Sequence, residues 1–556
     1  MKKLRLHFLA VVSVAALILS GCGGADKMKE LPQGTNFTLT PNPLEVHGNK
    51  VKGTIEGTFP AKYFNKKATL EITPVIVFEG GELALPVKVL QGQDVEANNQ
   101  VISYDAGGSF KQEFEFDYKD EMLKSDVELR MVITYKDKKI PFDVPQKIGA
   151  GVIATSKLVN IDPKPVMMKD NFQRVITENK EAQINFVIQR SDIRRSELTK
   201  EEVKMMESFI AEVVKVENKE LKGVAVSAYA SPDGPENLND KLSKERGKNT
   251  ENWLGGVFKK AKVEGKAADY VSSEVITEDW DGFKKMVEAS SIEDKELILR
   301  VLSMYSDPVV REREIKNLSK VYLVLAEKIL PELRRSKMIA KVDKIGFSDE
   351  QLVEFVNAGK YDTLNVEEML FAATLITDDA KKIEVYNKAG EMFNCARGYN
   401  NAAALYIKAN DLSAAKAALD KADAAKANIP AVINNRGCVA LMEGNLEEAE
   451  GLFTRAADAG PEVKYNLGII SIVKGLYPAA VEYFGGSDSF NQGLALLLAG
   501  KTDAAKNTFQ KVDHAKASYG LAIIGARMQD ETLLLNSLRT AIGKDASLKE
   551  RALKDM

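Results

Sequence analysis

Residues 223–257 read GVAVSAYASPDGPENLNDKLSKERGKNTENWLGGV, and this stretch decides how the middle of the chain folds. Val224, Val226 and Ala228 alternate with Ala225 and Ser227, the period of a strand with one buried face. Ser231-Pro232-Asp233-Gly234 suits a type I turn, with proline at its second place and glycine at its fourth. Beyond the turn Leu238, Leu242, Asn249, Trp253 and Leu254 recur at a helical period. The expectation is a strand, a tight turn and an amphipathic helix.

The stretch resembles the OmpA-like domain, which holds peptidoglycan in the bacterial periplasm. Its usual form is a strand ending in Gly-Tyr/His-Thr-Asp, then Gly, then Asn-x-x-Leu-Ser-x-x-Arg-Ala. Tyr229, Gly234, Asn239, Leu242, Ser243 and Arg246 match in order, whereas the aspartate after the strand is here Ser231. In that family one aspartate and one arginine grip the diaminopimelate of the stem peptide, since a zwitterionic end needs a partner of each sign. The resemblance thus implies Arg246, Ser231, Asp233 and Asn239 as candidate peptidoglycan-binding residues. A serine in place of the carboxylate forfeits a charge-assisted hydrogen bond, about 1.5–3 kcal/mol or roughly tenfold to a hundredfold in affinity. Asp233 either takes over that charge or serves the turn alone. Arg246 either meets the ligand or pairs along its helix with Glu245 or Asp240.

Outward from this stretch, Ala182–Ile188 reads as a strand with Phe186 and Ile188 on one side. A helix follows to about Val216, opened by Thr199 and Glu202 at capping-box spacing. Downstream come a strand over 270–277, helical material from Trp280 to about Leu330 with Glu278, Asp279 and Asp281 at its start, and Arg334-Arg335, the pair that family members carry on their last strand. The resemblance assigns residues 172–345 to an OmpA-like domain with a helical extension. The strand-helix-strand-helix order suits parallel pairing through right-handed crossovers.

Lys2, Lys3 and Arg5 precede the apolar run 8–19 and then Ser20-Gly21-Cys22. This is a charged segment, a core too short to span a membrane and a small-residue cleavage site. Leu19 to Cys22 looks like a bacterial lipobox, which implies a signal peptide over 1–21, lipidation at Cys22 and, with Gly23 rather than aspartate next, the outer membrane. Residues 22–36 are expected to be a lipid-anchored tether reaching about 45 Å at most. From 37 to 159 short alternating runs such as Val127–Ile133 are separated by turn signals, and six or seven strands suggest a β-sandwich whose core holds Tyr63 and Phe64. Residues 160–171, with two prolines, read as a linker.

From 348 to 556 the chain is alanine-rich, helical and repetitive. Gly390, Gly437, Gly468 and Gly493 each have an alanine twelve places on (Ala402, Ala449, Ala480, Ala505) and an aromatic sixteen on (Tyr406, Phe453, Phe484, Phe509). This resembles the tetratricopeptide repeat, in which a small residue on one helix lets the next approach and the aromatic fills the space between them. Pro461 matches the repeat's closing proline, and Gly520 opens a degenerate last repeat.

Composition excludes several functions. A net charge of −3 supplies no basic field for nucleic acid. Three histidines, with Cys395 and Cys438 far apart in sequence, do not form a metal-ligand pattern, and no cofactor or catalytic motif is found. The two cysteines are expected to be packing residues of helices. The expected fold class is multidomain: an all-β sandwich, an α/β OmpA-like domain and an all-α solenoid. The expected protein is non-enzymatic, a lipoprotein facing the periplasm that links the cell envelope to peptidoglycan while its repeats bind envelope proteins. The alternative is an envelope scaffold whose OmpA-like domain no longer binds the wall. Such combinations resemble lipoproteins of Bacteroidota.

Overall fold

A computed structural model describes residues 25–555, so the expected signal peptide over 1–21 and the expected lipidation at Cys22 lie outside the described residues. The chain divides into two compact units, one of residues up to 168 together with those from 386 on, the other of residues 169–385.

In the first unit, residues 36–153 form two sheets. One is ordered Asn36–Thr40, Lys50–Phe59, Leu44–His47 and Val152–Ile153, with Gly108–Asp117 also on Lys50–Phe59; the other runs Lys138–Pro141, Ser125–Tyr135, Ala68–Phe78, Lys88–Gly92 and Gln100–Ile102, with two further edge strands. Twelve strands replace the six or seven expected, because several runs reverse at residues that accept positive φ, such as Gly80 and Lys136-Asp137. Val51, Ile55 and Phe59 are buried while Lys52 and Glu56 face solvent, which is the alternation that marks a half-buried strand. Phe64 is fully buried as expected, and the Tyr63 hydroxyl donates to the Met28 carbonyl. Met28 is itself in this core, so the expected tether is docked from there on: an apolar side chain beside an open hydrophobic site stays out of water.

Residues 396–544 form five helical hairpins: Ala396–Lys408 with Leu412–Ala425, Pro430–Met442 with Leu446–Arg455, Pro461–Val473 with Tyr477–Phe484, Phe490–Leu498 with Thr502–Lys511, and Ala515–Arg527 with Glu531–Lys544. Three of the sequence triads pack as expected. A Cβ on Gly437, Gly468 or Gly493 would stand 2.5–2.8 Å from the ring of Phe453, Phe484 or Phe509. The fourth does not: the ring against Gly390 is that of Tyr399, while the Tyr406 hydroxyl accepts from Asn387 at 3.4 Å. The first hairpin instead uses Ala403, Ala415 and Leu419, all fully buried and at the same spacing. Every hairpin turns through a residue of positive φ (Asn410, Gly444, Gly475, Gly500, Gln529), the left-handed end that releases a helix. Gly520 touches Phe509 of the preceding hairpin, and Gly525 is the close approach in the last one. Pro461 begins a helix, where its missing N–H costs nothing. Gly493→Ala is expected to lower stability by about 1–3 kcal/mol through overpacking on Phe509, read as an earlier helical melt at 222 nm; an unchanged melt would show that the ring has room to move.

The hairpins and sandwich meet within this unit. Tyr477 donates to the Val46 carbonyl at 3.1 Å, and Arg551 to that of Ala154 at 2.9 Å.

In the second unit one four-stranded sheet is ordered Val175–Asn185, Arg335–Ile345, Lys219–Tyr229, Val271–Ile276. The last strand in sequence lies between the first two, antiparallel to both, and only Lys219–Tyr229 and Val271–Ile276 pair in parallel. Helices Glu201–Val213 and Glu236–Ala261 bury Val203, Met206, Ile210, Leu254 and Phe258 with the Val224, Val226, Met338 and Ala340 side chains. The first strand starts earlier than expected and ends at Asn185; Phe186 is buried but Ile188 is exposed. The Thr199–Glu202 capping box does not form, since Thr199 closes a short 3-10 turn and Lys200 precedes the helix without a side-chain cap. Residues 280–333 add helices with their own core of Phe283, Val287, Ile298, Leu302, Leu325 and Leu333. Helices Asp349–Asn357 and Val366–Leu375, expected with the repeats, belong to this unit: Arg174 pairs with Asp349, and Phe172 stacks on Phe371 at 4.5 Å.

Candidate functional site

The turn after Lys219–Tyr229 joins two of the four candidate residues, Ser231 and Asp233, in a closed network with Arg334, while Asn239 bonds to the turn's main chain and Arg246 to other carbonyls. Asp233 accepts from the Arg334 guanidinium at 3.0 Å and from the Ser231 hydroxyl, and Ser231 in turn accepts from Arg334 Nε at 3.1 Å. Both side chains of the Asp233–Arg334 pair are about nine-tenths buried. Lys316, from the added helices, donates to the Asp233 carbonyl at 3.1 Å, and Asn239 donates to that of Gly234 at 2.9 Å. Asp233 is therefore neither a free anion nor a turn residue alone.

Arg246 is 1% exposed and donates to three main-chain carbonyls, of Tyr229 at 2.9 Å, Arg190 at 3.1 Å and Val187 at 3.5 Å. Neither expected helix partner engages it: Asp240 pairs with Lys244, and Glu245 accepts from Ser191. Burial, with the positive charge of Arg334 nearby, pushes its pKa down to about 10, still protonated at neutral pH. Next to it Arg335 pairs with Asp279 at 2.8 Å and lies over the Tyr229 ring, while Asp279 caps Trp280–Ala289 through the Gly282 N–H, the helix start read from the sequence. Between Pro232, Asp233, Trp280, Phe283 and Tyr322 the remaining space is about 10 Å³, room for one water.

A second arrangement uses the segment expected to be a linker. Residues 160–168, NIDPKPVMM, run along the first helices of the hairpins and are held by one asparagine from each of four repeats. Asn491 accepts the Asn160 N–H and donates to its carbonyl, both at 2.9 Å. Asn466 does the same for Lys164 at 2.7 and 3.0 Å, Asn435 for Val166 at 2.7 and 2.9 Å, and Asn401 for Met168 at 2.7 and 2.8 Å. A side-chain amide carries the donor and acceptor of a peptide group, so each asparagine acts as a neighbouring strand residue would. Residues two apart in an extended chain present their polar groups to the same side, which fits 164, 166 and 168. Pro163 and Pro165 fall where no N–H is read, and there a missing donor is harmless.

The clamps are linked to one another. Asn435 also donates to Asn400 at 2.9 Å, and Asn466 to Asn434 at 3.1 Å; all four are fully buried. Asn400 and Asn434 add second bonds to the Val166 and Lys164 carbonyls. Cys438, a buried free thiol whose pKa burial pushes up, donates weakly to Lys164 at 3.5 Å. Lys164 places its ammonium 3.8 Å from the centre of the Tyr465 ring, whose hydroxyl bonds to Asp162. The sequence signal for the clamps is regular: Asn401, Asn435, Asn466 and Asn491 each stand two places before the small residue of their hairpin.

No protein-family model matches the chain, and no curated protein does. Among solved structures, the chain is similar to YrrB, described as a TPR protein with an unusual peptide-binding site (26% identity, 31% of this chain and 97% of that one, TM-score 0.24). It is also similar to a tetratricopeptide repeat protein from Parabacteroides merdae (14%, 37% and 91%, TM-score 0.29) and to PilW, a type IV pilus biogenesis factor (14%, 35% and 92%, TM-score 0.27). By its five stacked hairpins, with small residues where the paired helices approach, the C-terminal part of the chain is a helical repeat.

Proposed function

We propose that this chain is a non-enzymatic envelope scaffold: a lipoprotein held at the outer membrane through Cys22, facing the periplasm, whose repeats engage other proteins and whose OmpA-like domain has given up wall binding. The observation that carries this reading is the state of Asp233. The carboxylate of the turn itself, Asp233, is neutralised by Arg334 and covered by the added helices, so a stem-peptide ammonium would have to displace a buried ion pair. The competing reading, a link to peptidoglycan, draws on Asn239 and Arg246, which stand around the same turn in the order the OmpA-like family uses.

Co-sedimentation with purified sacculi separates the two. The chain from residue 23 on is expected to stay in the supernatant. Saturable pelleting that Asp233→Asn abolishes would establish the wall link instead.

A further inference from the structure

We propose that residues 160–168 are a ligand in cis, and that an extended segment of a partner protein binds the asparagine row by taking their place. This deepens the scaffold reading and rests on it only for the nature of the natural occupant; sedimentation with sacculi does not touch any of these groups.

The row reads main chain above all. Eight hydrogen bonds from four asparagines go to the N–H and C=O of Asn160, Lys164, Val166 and Met168. Side-chain demands are few: Val166 and Pro163 are buried, whereas Ile161, Lys164 and Met167 are exposed. The fitting partner is thus an extended peptide with a small apolar residue at the third clamp, a cation over Tyr465 at the second, an acceptor two places before it, and proline allowed at the unread places between. Because the cis segment is covalently joined, its effective concentration is on the order of millimolar, and it keeps a weaker competitor out. Partner binding is then coupled to release of the segment that leads out of the sandwich.

The probe is a fluorescent peptide of residues 158–170, followed by anisotropy against the chain from residue 23 on. The parent should bind it weakly. Val166→Asp, which puts a charge at the buried place of the cis segment, should bind it at least about tenfold more tightly. That gain should vanish when Asn401→Ala and Asn435→Ala are added, and when the peptide is N-methylated at Val166, which removes one donor and leaves every side chain. A folded Val166→Asp chain that ignores the peptide, or binding indifferent to N-methylation, overturns the proposal. Should Val166→Asp not fold, hydrogen exchange in the parent decides: excess peptide should speed exchange at Lys164, Val166 and Met168, and unchanged protection rejects displacement.

Discussion

Asn435→Ala is expected to destabilise the unit of sandwich and repeats by about 2–5 kcal/mol. The substitution removes the acceptor of the Val166 N–H and one of the two donors to its carbonyl, Asn400 keeping the other, and each unmade bond of that kind costs about 1–3 kcal/mol. Asn400 loses its donor as well. At roughly 2–4 °C per kcal/mol for a unit of this size, the helical melt at 222 nm should fall by about 5–15 °C. Asn491→Ala removes the same pair of bonds from Asn160, which is partly exposed, so water replaces them and the loss should be smaller. The chain's two tryptophans, Trp253 and Trp280, both lie in the other unit, so tryptophan fluorescence should report an unchanged transition. A change within about 0.5 kcal/mol of the parent would mean that the row does not hold the segment.

The asparagine row also shows where the sequence was legible. Period-two runs marked the sandwich strands, and the strand-turn-helix at 223–257 was read at the right places, because such signals are local. The sheet order was not readable: Arg335–Ile345 enters between two strands that precede it by more than a hundred residues, and nothing in either strand announces that neighbour. For the same reason Arg334 was placed on the family's last strand without being seen as the partner of Asp233. The prolines of 160–168 signalled a loop, since they exclude a sheet ladder, yet an extended chain clamped at alternate residues tolerates them. Gly390 met the spacing rule by coincidence. In the first four hairpins the residue of positive φ stands seven places after the small residue, at Asn410, Gly444, Gly475 and Gly500, and that second marker would have chosen Ala403.

Arg246→Leu is expected to cost the central unit about 3–5 kcal/mol. The guanidinium ties the end of Lys219–Tyr229 to the loop after Val175–Asn185, and leucine fills the volume but takes a donor from the carbonyls of Tyr229, Arg190 and Val187, the last of which keeps the Arg190 N–H. Arg246→Lys keeps the charge above the Phe186 ring but cannot point at three acceptors, so an intermediate loss is expected. Urea unfolding followed by tryptophan fluorescence isolates this unit, and its midpoint should fall in the order parent, lysine, leucine. The consequence reaches the wall-binding question. An arginine variant that stops pelleting with sacculi would have lost its fold rather than a ligand contact, and Asp233→Asn, which leaves Arg334 buried without its carboxylate, is read beside its own urea midpoint for the same reason. If Arg246→Leu instead keeps the parent's midpoint, the three carbonyls do not need the guanidinium, and a role for Arg246 in gripping a stem-peptide carboxylate regains its place.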